Sequence, residues 1–203
     1  MAILAAGRGS RLGGDSPKPL TLLGERSLLD RSLGAALDSG LDPVLLVVGY
    51  EAEKVAAVAP KQAIVVRNPD WQGGIASSLQ AALRTLEGDR SITGICIGLA
   101  DQPFIGAEAY RRLAATGGQG AELAAATYGG ARRNPVFLGR SLWFEAMKLE
   151  GDEGAKQLMR RYPVVEVPCD KTGNPIDIDT PEDLAREIKH GEWGIGHGAL
   201  EKF

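Results

Sequence analysis

The chain has 203 residues, 44% of them hydrophobic and 24% charged, which gives one large domain enough apolar side chain for a core. Its net charge of −3 argues against the basic surface that non-specific nucleic-acid binding requires. Cys96 and Cys169 have no Cys or His at ligand spacing, so neither a zinc site nor a disulfide framework is indicated.

In chain order, Ala2–Ala6 is a strand-length apolar run that stops at Gly7. The loop after it, Gly7-Arg8-Gly9-Ser10-Arg11, leads to Pro17 and Lys18. A glycine loop at a strand end lets backbone N–H groups approach a polyanion, and Arg11 and Lys18 add positive charge for phosphoryl transfer. Leu12 stands where a dinucleotide fingerprint needs its third glycine, and no Gly-Lys-Ser/Thr follows, so neither common phosphate motif is present. Leu28, Leu29, Leu33, Ala36 and Leu37 recur at helical spacing before Gly40. Pro43–Val48 reads as a strand, Ala52–Val58 as a helix and Ala63–Arg67 as a strand. In Asn68-Pro-Asp-Trp-Gln-Gly-Gly74-Ile-Ala-Ser77-Ser78, a strand end and glycine loop lead into the helix Ser77–Leu86. Asn68, Gly74, Ser77 and Ser78 are candidates for contacts to a base or ribose, although serine also caps helices.

The strand Gly94–Leu99 ends at Asp101, a hard oxygen ligand suited to Mg²⁺. A helix over Ala107–Ala115, strands over Leu123–Thr127 and Asn134–Leu138, helices over Arg140–Met147 and Ala155–Arg160, and a strand over Val164–Val167 follow. Asp177 and Asp179 lie two apart on an extended segment and face one side, so either can join Asp101 at a metal. Thr180, Pro181 and Asp183 open a last helix, Glu182–His190, as a cap, first-turn proline and capping-box acid. Strand–helix alternation with nearly continuous apolar strands predicts a single α/β domain over 1–190, Rossmann-like. It has a mostly parallel sheet, helices on both faces and ligands at the strands' carboxyl ends. The Gly-rich segment 191–203 is expected to be a separate, poorly ordered tail. With no apolar run of about 18 residues and no leader pattern, the expectation is a cytoplasmic protein with no membrane association.

Together, Leu4-Ala-Ala-Gly-x-Gly-x-Arg-Leu-Gly13, Pro17-Lys18-Pro19, the Asn68–Ser78 segment, Asp101, Asn134-Pro135-Val136, Gly151-Asp-Glu-Gly-Ala155 and Asp177-Ile-Asp179-Thr-Pro-Glu-Asp-Leu184 form a set. In this order they resemble the molybdenum-cofactor cytidylyltransferases and guanylyltransferases over residues 2–190, with Ala6 matching the cytidylyl form. The resemblance implies the fold of the nucleotide-diphospho-sugar transferases. It also implies a nucleoside triphosphate, CTP rather than GTP, a phosphorylated molybdopterin acceptor and a molybdoenzyme partner. Arg11, Lys18 and Asp101 are then catalytic. Leu4, Ala5, Ala6, Gly7, Arg8, Gly9 and Ser10 face the nucleotide with Lys18, Asn68, Gly74, Ser77, Ser78 and Asp101, and Mg²⁺ sits on Asp101 with Asp179 or Asp177. The spacer between Gly13 and Lys18 is longer than usual in that group and resembles the sugar-phosphate and phosphocholine nucleotidyltransferases. That gives the nearest alternative acceptor; a non-catalytic, cofactor-binding accessory protein is the alternative from another class.

Overall fold

The computed structural model describes residues 1–13 and 16–190; the expected tail at 191–203 lies outside them. Its strands are β1 (Ala2–Ala5), β2 (Leu22–Leu23), β3 (Arg26–Ser27), β4 (Val44–Val48), β5 (Ala63–Arg67), β6 (Gly94–Leu99), β7 (Leu123–Tyr128), β8 (Ala131–Gly139) and β9 (Val165–Pro168). Its helices are α1 (Leu28–Asp38), α2 (Ala52–Ala56), α3 (Ile75–Leu86), α4 (Ala107–Gly118), α5 (Trp143–Ala146), α6 (Ala155–Met159) and α7 (Pro181–His190). Seven strands make one sheet in the order β5-β4-β1-β6-β8-β7-β9, and β2 and β3 pair separately. The α/β fold with a mostly parallel sheet is as expected.

Alternation along the strands explains how both faces are covered. Ile3, Ala5, Leu46, Val48 and Cys96 pack on one face with Leu29 and Leu33 of α1 and Tyr110 and Leu113 of α4. Ala2, Leu4, Leu45, Val47 and Ile97 point to the other, against Leu79 and Leu83 of α3 and Trp143 of α5. Successive residues thus feed opposite cores, and the strands read as unbroken apolar runs.

Several details differ from the sequence expectation. Strand β8 runs antiparallel to both β6 and β7, because Gly129 and Gly130, both at positive φ, turn the chain straight back into a hairpin. The stretch over Arg140–Met147 divides into a 3₁₀ turn, Arg140–Leu142, and the short α5. Helix α3 begins at Ile75 behind Gly74, whose φ of 81° and ψ of −168° suit glycine; Ser77 is not its cap. Among the described residues no helix is long and apolar enough to cross a membrane.

Candidate functional site

The carboxyl ends of β1 and β6 lie side by side, since Leu4 pairs with Leu99. After β1 the chain enters the Gly7–Leu12 loop, and after β6 it reaches Asp101. Lys18 is delivered between them by a 3₁₀ turn, Lys18–Leu20, in which prolines on either side fix the backbone. Asp179 arrives from the other end of the sequence. The segment before α7 is docked by a hydrogen bond from the Ile178 amide to the Asp101 carbonyl, at 2.9 Å. The expected capping box is present: Thr180 Oγ1 accepts from the Asp183 amide, and Asp183 Oδ2 accepts from the amides of Thr180 and Asp179. The cap therefore also fixes the backbone of Asp179.

At the centre, Lys18 Nζ donates to Asp101 Oδ2 and to Asp179 Oδ1, each at 2.6 Å. The Lys18 side chain is only 9% exposed. Burial alone would lower its pKa, but the two carboxylates outweigh that and hold the ammonium above its ordinary value. Gly9 makes room for it: a Cβ there would lie 2.4 Å from Lys18 Cβ, and Gly9 also sits at a φ of 61°. Arg11 Nη1 approaches Asp179 Oδ2 at 3.6 Å from an exposed position. Among the described residues, no backbone hydrogen bond is donated by Gly7, Arg8, Gly9 or Ser10, which leaves a row of free N–H groups on the loop.

A cleft of about 1230 Å³ opens over this centre. Leu4, Ala5, Gly7, Gly9, Arg11, Lys18, Asp101, Asp177 and Asp179 all line it. The other expected contacts do not. Ala6 is buried and its carbonyl accepts from the Tyr50 amide. Arg8 lies over the Tyr50 ring, 5.5 Å from its centroid, and Ser10 is exposed outside the cleft. Asn68 donates to Ser77 Oγ at 2.9 Å and Ser78 Oγ at 3.2 Å and accepts from the Asp70 amide, tying β5 to α3. Gly74 abuts Gly151 and Asp152, so a Cβ there would meet the Gly151 backbone at 2.6 Å. In this structure these four residues bond to one another and abut the Gly151 loop, and none lines the cleft. The cleft also recruits residues with no assigned role in the sequence, chiefly Gln102, Arg132, Arg133 and Lys156.

Among the described residues, no group of three or more His, Cys, Asp or Glu side chains is arranged to enclose a cation. Asp101 Oδ1, however, is buried and without a partner, and Asp179 presents its second oxygen towards Arg11. Two hard carboxylates suit an ion that takes its remaining ligands from water and phosphate. Asp177 faces Gln102, whose Nε2 donates to it at 2.9 Å. Burial first, and then the charge of Asp101, push its carboxyl above the ordinary value.

Comparison with known proteins identifies the family. The model of the MobA-like NTP transferase domain matches residues 1–167. The chain is 30% identical over 198 residues to nicotine blue oxidoreductase of Paenarthrobacter nicotinovorans, covering 91% of this chain and 93% of that one. It is likewise 30% identical to the purine catabolism protein PucB of Bacillus subtilis, covering 89% and 91%. The crystal structure of Rv0371c from Mycobacterium tuberculosis superposes with a TM-score of 0.79 at 31% identity, over 93% of this chain and 95% of that one. Rv0371c has also been solved in complex with manganese.

Proposed function

The chain belongs to the MobA-like NTP transferase family, and from that premise we propose a Mg²⁺-dependent transfer of CMP from CTP to a phosphate monoester of the molybdopterin class, releasing pyrophosphate. One observation carries the reading: Lys18, buried between Asp101 and Asp179, stands at the mouth of a loop with free N–H groups in an open cleft. That arrangement suits a polyphosphate. The named relatives include an oxidoreductase and a purine catabolism protein, so the molybdopterin acceptor rests on this chain's own motifs.

The loop amides and Arg11 hold the triphosphate. An ionised oxygen of the acceptor phosphate attacks the α-phosphorus in line and forms the new P–O bond. The bond from that phosphorus to the bridging oxygen of the β-phosphate breaks, and the electron pair leaves with pyrophosphate. The attacking oxygen is already ionised, so no general base is required; positioning and charge neutralisation supply the rate. Lys18 moves no proton: its raised pKa keeps it a permanent cation beside the departing charge. Asp101 and Asp179 would hold the divalent ion, which when bound supplies further neutralisation at the phosphates; manganese in the mycobacterial neighbour supports a metal of this class. Preference for cytosine rests on the resemblance of Leu4-Ala5-Ala6-Gly7 to the cytidylyl form.

Pyrophosphate release tests this, with CTP or GTP offered alongside molybdopterin, sugar phosphates or choline phosphate, with and without Mg²⁺. Release with CTP and molybdopterin that depends on Mg²⁺ is the expected result. Release only with a sugar or choline phosphate would replace the acceptor, and none with any pair would remove the reaction.

A further inference from the structure

The side of the cleft formed by β8, α6 and the loop before α6 carries four cations, Arg132, Arg133, Lys156 and Arg160, against two acids, Asp152 and Glu153, and nothing in the triphosphate chemistry uses it. Arg132 and Arg133 stand at the start of β8, whose later residues pair with β6 (Ile97 with Val136), so this end of β8 emerges at the Asp101 rim. Lys156 and Arg160 come from α6 and the residue after it. Two of these charges are already matched. Arg132 pairs with Glu166 at 2.8 Å, and Arg160 holds Glu153 through two bonds of 2.7 and 2.8 Å. Arg133 and Lys156 make no ion pair among the described residues. Arg133 only donates to the Arg132 carbonyl at 3.5 Å, and Lys156 helps lower the Glu153 carboxyl from a distance. Two unmatched cations from separate elements therefore line one cleft in a protein of net charge −3.

We infer that Arg133 and Lys156 form the binding site for the acceptor's phosphate, set opposite the loop that takes the triphosphate. A phosphate dianion suits the pair: the guanidinium offers a planar fork and the ammonium a point charge. The neighbouring lining, Ile75, Leu79, Val136 and Met159, is apolar and fits a ring-bearing phosphate monoester better than an open-chain polyol phosphate. The glutamates on Arg132 and Arg160 leave the unmatched charge on the two residues that remain. The inference rests on the nucleotidyl-transfer reading for its role in the reaction, but its ligand chemistry can be measured separately.

The experiment titrates CTP with Mg²⁺, and separately phenyl phosphate, into the wild type, Lys18→Met, Arg133→Ala and Lys156→Ala by calorimetry. Arg133→Ala and Lys156→Ala should each weaken phenyl phosphate about tenfold while leaving CTP within about twofold, and Lys18→Met should weaken CTP. Arg133→Lys should recover part of the loss. Unchanged phenyl phosphate binding in both alanine variants would overturn the site. So would a loss of CTP affinity matching that of Lys18→Met, which would assign these cations to the triphosphate. If wild type binds phenyl phosphate through these residues but binds no CTP, the anion site stands and nucleotidyl transfer falls.

Discussion

Lys18→Met tests the centre of the site with little change in side-chain length. It deletes two charge-assisted bonds of 2.6 Å, each worth about 1.5–3 kcal/mol. It also removes the cost of holding an ammonium that is 9% exposed, several kcal/mol per buried ion. Asp101 and Asp179 retain 29% and 36% exposure, so water reaches both after the cation is gone. The opposing effects leave a net loss of about 1–3 kcal/mol, a fall in Tm of about 2–12 °C for a domain of this size. Catalysis has no such offset. Losing one preorganised contact to developing charge costs about 10²–10³ in rate. Pyrophosphate release at saturating CTP should fall by that factor in a protein that still unfolds cooperatively. Lys18→Arg should not restore it, because a planar fork cannot present one point charge to two converging carboxylates. Turnover within tenfold of wild type in folded Lys18→Met would refute the role given to this residue.

Gly9→Ala places a methyl 2.4 Å from Lys18 Cβ at a φ of 61°, so thermal unfolding should show a loss above about 1–2 kcal/mol, with CTP affinity reduced as Lys18 is displaced. Asn68→Ala strips partners from the Asp70 amide and two serine hydroxyls at a residue 3% exposed; denaturant unfolding should show about 1–3 kcal/mol lost, and kcat per folded molecule should change less than tenfold. A larger effect on kcat than on stability would move Asn68 into the nucleotide site. Asp177→Asn should stabilise the protein at neutral pH. A carboxyl whose folded pKa is raised contributes its stability below its ordinary value of 3.8 and loses it as pH rises through the raised value. The gain over wild type should therefore grow from pH 3 to pH 7, staying at or below about 1 kcal/mol because the residue keeps an exposed face. An equal gain at both pH values would show that the charge is not its source.

The strands were legible because each feeds both cores in turn, so Ala2–Ala5 and Val44–Val48 carry no polar position to disguise them. The direction of β8 was legible only in the pair Gly129-Gly130, a local turn signal that strand–helix alternation overrides when read first. In the site, Lys18, Asp101 and Asp179 stood out because charged residues at strand and loop ends have few structural duties. Asn68 and Ser77 behaved differently. An amide and a hydroxyl near a helix start suit a ligand or a neighbour equally well, and their mutual distance of 2.9 Å is set by the packing of β5 against α3. Arg133 and Lys156 were hidden for the opposite reason: a cation beside a turn resembles any solvated charge until the fold turns both towards one cleft with their neighbours' charges already matched.

The long spacer between Gly13 and Lys18 raised the question of whether this lysine can occupy the same place as one on a shorter tether. Loop length constrains only how far Lys18 can reach; it does not choose where Lys18 stops. The stopping point is set locally. Pro17 and Pro19 flank the lysine, the Leu20 amide closes the turn onto the Pro17 carbonyl at 2.8 Å, and the Thr21 amide bonds the Lys18 carbonyl at 3.0 Å. Gly9 leaves space for the stem, and two carboxylates hold the tip. With the position fixed at the stem, the tip and the backbone, residues in the spacer can be gained or lost without moving the charge. Deleting one residue from the Gly13–Ser16 spacer should then leave CTP affinity within about threefold of wild type, since a one-residue change in chain length alters a closure free energy by well under 0.6 kcal/mol. Calorimetry reads this directly, and a tenfold loss with the fold intact would show that the spacer itself carries part of the nucleotide site.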